Sequence, residues 1–345
     1  MKTNDDDVWR SQIANSIKNM HQLKDKLKLT EKENITNISN LPVKITNYYL
    51  ELIKKYPELR RTVVPTIYEQ EVNDIEYEDP LDEDEYKKTD CIIHKYQNRV
   101  LFLCTSQCSS YCRYCTRSRM VDKKSFKKEQ WDDAISYIKN NKQIQDVLIS
   151  GGDPMILSNK KLDYILGELK KIDHVGIIRI GTKMPVVLPS RINQSLIDIL
   201  KIYAPIYINI HFTRKEELTK ECIEACKKLR DVGCILGSQT VLLKGINDDP
   251  NILKELFYEL LKNGIRPYYL YQMDKIKGGS HFRCDLDTMI NIMKQLIGLN
   301  SGLAIPEFII DTEIGKIPLR LDYVTRNDEG KYILTNFEKN VSIIY

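Results

Sequence analysis

Apolar residues recur along this chain with two different periods, and the change between them organises it. Between residues 8 and 58 they fall at helical spacing, in VWRSQIANSIKNMHQLKDKL and ITNYYLELIKKY, which predicts a helical N-terminal region. An acidic, apolar-poor connector follows from Glu69 to Lys88 and reads as an exposed link whose charges are solvated. From Arg99 onward the pattern becomes short β-branched runs: RVLFLC, QDVLIS, VGIIRIG, PIYINIH, CILGSQTVLL and IRPYYLYQ. Amphipathic stretches such as SFKKEQWDDAISYIKNN and NILKELFYELLKNG separate them. Six β-then-α units at this spacing predict an α/β fold, a parallel sheet curled into a partial (β/α)6 TIM-like barrel. In such folds the C-terminal ends of the strands carry the chemistry. The expected organisation is a helical region with its acidic connector over 1–90, the barrel over 91–300 and a short C-terminal segment over 301–345.

Composition narrows the function classes without choosing one. A length of 345 residues suits one large barrel or two ordinary domains. Lys and Arg exceed Asp and Glu by only 52 to 48, which gives no general signal for nucleic acid or membrane. The start, MKTNDDDVWRSQ, is acidic and lacks the apolar stretch of an export signal, and no apolar run approaches the length of a membrane span. The expectation is a cytoplasmic protein.

The chemistry is concentrated directly after the first strand. Cys108, Cys112 and Cys115 lie within eight residues in TSQCSSYCRYCTR, and a CxxxCxxC loop can ligate three irons of a [4Fe–4S] cubane while leaving the fourth open. A zinc site with a distant fourth ligand is the alternative, but no second CxxC or HxxxH follows. The odd total of nine cysteines argues against a disulfide framework, and the other six sit in apolar or helical sequence as buried thiols. After the second strand, Ser150-Gly151-Gly152-Asp153-Pro154 reads by itself first as a plain turn; next to the cysteine loop it offers backbone that a ligand can approach, because glycine has no Cβ.

A cysteine loop of this spacing after the first barrel strand, with GGDP after the second, resembles the radical S-adenosylmethionine (SAM) superfamily. HKYQNRVLFL, CSSYCRYCTRSR, DVLISGGDP, RIGTKMPVVLPSRI, SQTVLLKGIND, RPYYLYQMD and HFR, in that order, resemble the lysine 2,3-aminomutase family from about Trp9 to Tyr345. The resemblance implies a [4Fe–4S] cluster, SAM bound at its open iron, and pyridoxal 5′-phosphate (PLP) held as a Schiff base on Lys316 of DTEIGKIPL. Lys95 and Arg99 match cationic contacts to the PLP phosphate, Lys95 as a point charge where an arginine is common. Ser150, Gly151, Gly152 and Asp153, with His211 and Gln239, match the SAM side, and Tyr271 a position near PLP. His211 and Tyr271 read equally as barrel core.

Arg117 matches the arginine that binds the substrate carboxylate, a task suited to a bidentate guanidinium; neutralising the cluster is its other reading. Asp274 and Asp311 match positions that grip the distant ammonium of lysine, which needs paired negative partners once buried. The implied activity is interconversion of L-lysine and β-lysine by migration of the amino group between Cα and Cβ. Another basic amino acid, or a lysine carried by elongation factor P, stays open as substrate, and a catalytically inactive iron–sulfur module is the reading from a different class. The resemblance also implies an electron donor such as flavodoxin or ferredoxin and leaves a homo-oligomer open. Two departures stand out. The run before Lys316 is shortened to Thr312-Glu313-Ile314-Gly315, which puts the reach of Asp311 in question, and the chain ends after NFEKNVSIIY without a cysteine-bearing tail, so zinc is not expected.

Overall fold

Each amphipathic stretch of the barrel region becomes a helix with one apolar face turned to the sheet. In Asn159–Lys170 the buried residues are Leu162, Ile165, Leu166 and Leu169, the spacing of a single helical stripe. Local signals set the ends: Thr219 accepts the Cys222 amide at the start of Lys220–Asp231, and Asp249 caps Pro250–Lys262, whose first residue is proline. The computed structural model describes residues 5–35, 41–123, 126–321, 323–335 and 339–344; the remaining residues, among them the first four and Asn336 to Glu338 and Tyr345 of the closing NFEKNVSIIY, lie outside the described residues.

A ten-stranded sheet runs in chain order: β1 (Lys87–Thr89), β2 (Ile92–Tyr96), β3 (Arg99–Thr105), β4 (Asp146–Gly151), β5 (Ile177–Thr182), β6 (Tyr207–His211), β7 (Ile235–Leu242), β8 (Arg266–Gln272), β9 (Glu307–Thr312) and β10 (Gly315–Pro318). From β3 to β9 every neighbouring pair is parallel, while β1–β2, β2–β3 and β9–β10 are antiparallel. The predicted partial barrel is therefore present, with one addition: β9, reached through the helix Leu286–Leu296, pairs parallel to β8 and extends the sheet by a seventh strand. The strand order begins at β1 and ends at β10, so the sheet is open. Side chains span the gap. Lys95 Nζ donates to the Thr312 carbonyl at 2.8 Å, and the Lys316 amide donates to the Tyr96 hydroxyl at 2.9 Å.

The helical N-terminal residues share the barrel's hydrophobic core, from Trp9, Leu23 and Tyr49 through to Phe308. The acidic connector departs from expectation. Glu69, Glu76 and Glu83 are buried, seven residues apart, and each holds a distant arginine: Arg113, Arg283 and Arg117 respectively. A carboxylate can leave water when a guanidinium meets it, which is why this run is folded against the molecule and not a solvated link. No helix among the described residues is long and apolar enough to cross a membrane.

Candidate active site

The loop after β3 has little regular structure of its own and is held by the N-terminal region. Tyr111 and Arg113 donate their amides to the carbonyls of Lys44 and Thr62 at 2.9 and 2.8 Å. The Arg113 guanidinium forks onto Glu69 and also donates to the carbonyls of Leu41 and Pro42. So pinned, the loop turns the thiols of Cys108, Cys112 and Cys115 toward one cavity. All nine cysteines are free thiols, and the other six are buried elsewhere. Burial pushes the Cys108 and Cys112 thiols up and takes Cys115 to about 11, and the neighbouring thiols oppose ionisation of Cys108 and Cys115 further.

The glycine pair after β4 has a specific physical task. A Cβ on Gly152 would stand 2.2 Å from the Gln107 carbonyl oxygen, and one on Gly151, at φ 127°, would stand 2.0 Å from that of Thr105. The close approach is thus to the backbone leading into the cysteine loop, sealed by Gly152 N–H to Thr105 at 2.6 Å and Asp153 N–H to Gln107 at 2.8 Å. Asp153 is buried and ties this turn to the end of β5, accepting from the Thr182 hydroxyl and the Lys183 amide.

The cavity, about 330 Å3 in volume, is lined by every residue predicted for the site: the three cysteines, Ser150 to Asp153, His211, Gln239, Lys95, Arg99, Arg117, Tyr271, Asp274, Asp311 and Lys316. His211, which ends β6, and Gln239, within β7, are register partners. Burial, then the charges of Lys183 and Arg117, lower His211 to about 4, so its imidazole is neutral at pH 7. On the opposite side the shortened run before Lys316 forms a two-residue hairpin turn, Glu313-Ile314, with Gly315 at φ 122°. This turn sets Lys316 directly across from Asp311 in the β9–β10 ladder, and the two side chains form an ion pair. Lys316 Nζ also lies 4.8 Å from the centre of the Tyr271 ring. Asp274, just past β8, accepts from the Thr116 hydroxyl. Burial, followed by the charge of Asp311, raises its carboxyl to about 6 against the pull of Thr116, Lys316 and Arg117.

The cations differ in what they are free to do. The Arg99 guanidinium stacks 3.9 Å over the Tyr96 ring and makes no hydrogen bond or ion pair among the described residues. Lys95 gives two of its three N–H bonds to the carbonyls of Leu81 and Thr312. Arg117 is held by Glu83. Several site neighbours carry no signal in the sequence: Tyr96, Thr116, Glu83 and the buried Lys183–Glu217 pair at 2.8 Å, which the Tyr49 hydroxyl also joins. Only the seven-residue spacing of Glu69, Glu76 and Glu83 could have hinted at the acidic contacts.

A family model described as Radical SAM superfamily matches residues 102–256. The L-lysine 2,3-aminomutase of Methanococcus maripaludis is 44% identical over 96% of this chain and 79% of its own length. The chain belongs to the lysine 2,3-aminomutase family. Its similarity to the enzyme of that name from Clostridium subterminale is 42% over 96% of this chain and 82% of that one, and to the glutamate 2,3-aminomutase of Clostridioides difficile 37% over 96% and 81%. The lysine 2,3-aminomutase family is a group of isomerases that use a [4Fe–4S] cluster, SAM and PLP. The residues fit all three groups. Three crowded thiols that resist ionising alone are the donor set a polycationic cluster needs. An arginine whose guanidinium has no hydrogen bond or ion pair among the described residues, and a lysine lining the same cavity, suit a phosphate and an aldehyde. The ends of β4 and β6, with Gln239 of β7, also line the cavity.

Proposed function

We propose that this protein is a 2,3-aminomutase that interconverts L-lysine and β-lysine. The observation that carries the reading is the layout of one cavity: a guanidinium, Arg117, beside the cysteine loop, and two carboxylates, Asp274 and Asp311, beside the hairpin lysine. A free amino acid with a cationic tail needs both ends met, its carboxylate by a fork and its ammonium by anions. A glutamate substrate would bring a second carboxylate to the aspartates and be repelled there.

When bound, the cluster with SAM supplies a primary carbon radical at the nucleoside C5′ and PLP renders the amino group mobile. Cys108, Cys112 and Cys115 would hold the cluster, with Ser150, Gly151, Gly152, Asp153, His211 and Gln239 along the SAM wall. Lys316 would anchor PLP through Nζ, which frees Asp311 from their ion pair, and would be displaced by the substrate's amino group. Arg99, with the remaining N–H of Lys95, would meet the phosphate, and Tyr271 would flank the ring. Arg117 fixes the substrate carboxylate while Asp274 and Asp311 fix the far ammonium, which holds Cβ in one place. Neutral His211 adds a polar edge without adding charge beside the cations. The substrate is a small molecule, and a reduced flavodoxin or ferredoxin would supply the electron.

The test is anaerobic incubation of the reconstituted protein with PLP, SAM, dithionite and single amino acids, followed by product identification. Conversion of lysine to β-lysine is expected, with little turnover of glutamate. No isomerisation of any free amino acid, or turnover only of lysine carried by elongation factor P, overturns the reading; absence of SAM cleavage would leave an inactive module.

A further inference from the structure

We propose that Glu83 is a positioning residue that orients Arg117 for the substrate carboxylate. The proposal rests on the reading of Arg117 given above. Glu83 is 5% exposed and takes the guanidinium side-on: Nε–H donates to Oε2 at 2.9 Å, and Nη2 pairs with Oε1. Among the described residues no hydrogen bond engages Nη1, and Arg117 and Glu83 both line the cavity. One edge of the fork is therefore spent on the protein, and the other is left for a ligand.

The chemistry argues for orientation over simple neutralisation. A buried carboxylate beside a carboxylate-binding arginine weakens its attraction for an anionic ligand. It is a costly choice unless it gains geometry: an arginine on an irregular loop has many rotamers, and a two-point clamp on Nε and Nη2 leaves one direction for the remaining donors. The clamp is itself built in. Arg119 pairs with Asp79 at 2.7 Å, and Lys95 Nζ donates to the Leu81 carbonyl at 3.0 Å. Upstream, Tyr77 donates its amide to the Lys275 carbonyl at 2.8 Å, and Lys277 donates to the Tyr77 carbonyl at 3.0 Å. Lys275 directly follows Asp274. The segment that aims Arg117 is thus bonded to the loop that presents Asp274, and the two ends of the substrate are measured from one paired unit.

The experiment compares lysine with 1,5-diaminopentane, which keeps the amines and lacks the carboxylate, on holoenzyme of the wild type, Glu83→Gln, Glu83→Ala and Arg117→Lys. Glu83→Ala should raise KM for lysine about tenfold, the size of a lost charge-assisted contact, with a smaller fall in kcat. The inhibition constant of 1,5-diaminopentane should stay within about twofold. Glu83→Gln, which keeps one acceptor, should fall between, and it decides the matter if Glu83→Ala does not fold. An unchanged KM, tighter lysine binding in Glu83→Gln, or parallel weakening of both ligands overturns the proposal. If Arg117→Lys weakens lysine and the Glu83 variants do not, the proposal alone fails; if Arg117→Lys also leaves KM unchanged, the reading of Arg117 fails with it.

Discussion

At the residue scale, the site works by placing charges where little water surrounds them. Asp274 shows the consequence most directly, because burial and the facing charge of Asp311 raise its carboxyl to about 6. Above that pH it is an anion that can meet an ammonium, and below it a neutral acid that cannot. KM for lysine should therefore rise as pH falls through about 6, and Asp274→Asn should raise KM throughout and flatten that dependence; a pH series of initial rates checks both. Most of these residues were legible as single letters in motifs, and all of them face one cavity. Their partners were not. Glu83 looks like its acidic neighbours, and its role comes from an arginine 34 positions away that a local pattern cannot reveal. The glycine pair is a similar case: glycine signals a close approach but not to what, and here it is the backbone of Thr105 and Gln107.

At the element scale, the parallel strands fall within a residue or two of the β-branched runs that predicted them, because alternation with amphipathic helices leaves little freedom in a parallel sheet. The seventh strand escaped because Glu307–Thr312 is short and follows a proline, with no helix after it. That strand matters most to the site, since its hairpin puts Lys316 opposite Asp311. The shortened run before Lys316, which left the reach of Asp311 in question, is what creates this register. Gly315 makes the turn possible at a φ of 122°, a region closed to side chains without strain. Gly315→Ala should cost about 1–3 kcal/mol of stability by urea unfolding and reduce the visible absorption of PLP bound to Lys316.

At the scale of the whole molecule, the N-terminal helices and the acidic segment are the mould in which the cysteine loop sets. Arg113 lies at the centre of that mould, forked onto Glu69 and bonded to two carbonyls. Glu69→Ala breaks a buried pair and should cost about 3–5 kcal/mol. Chemical denaturation would measure the loss, and the iron retained per chain should fall with it, whereas removing Glu329, the exposed ion-pair partner of Lys331, should change neither. The opposite wall is built on another plan. There the two ends of the open sheet meet through the side chains of Lys95 and Tyr96. A ladder parts only by losing its rungs in sequence, but two side-chain contacts part together at small expense. The barrel is accordingly a cylinder closed by continuous ladders around most of its girth and fastened by a side-chain latch at the seam beside Lys316.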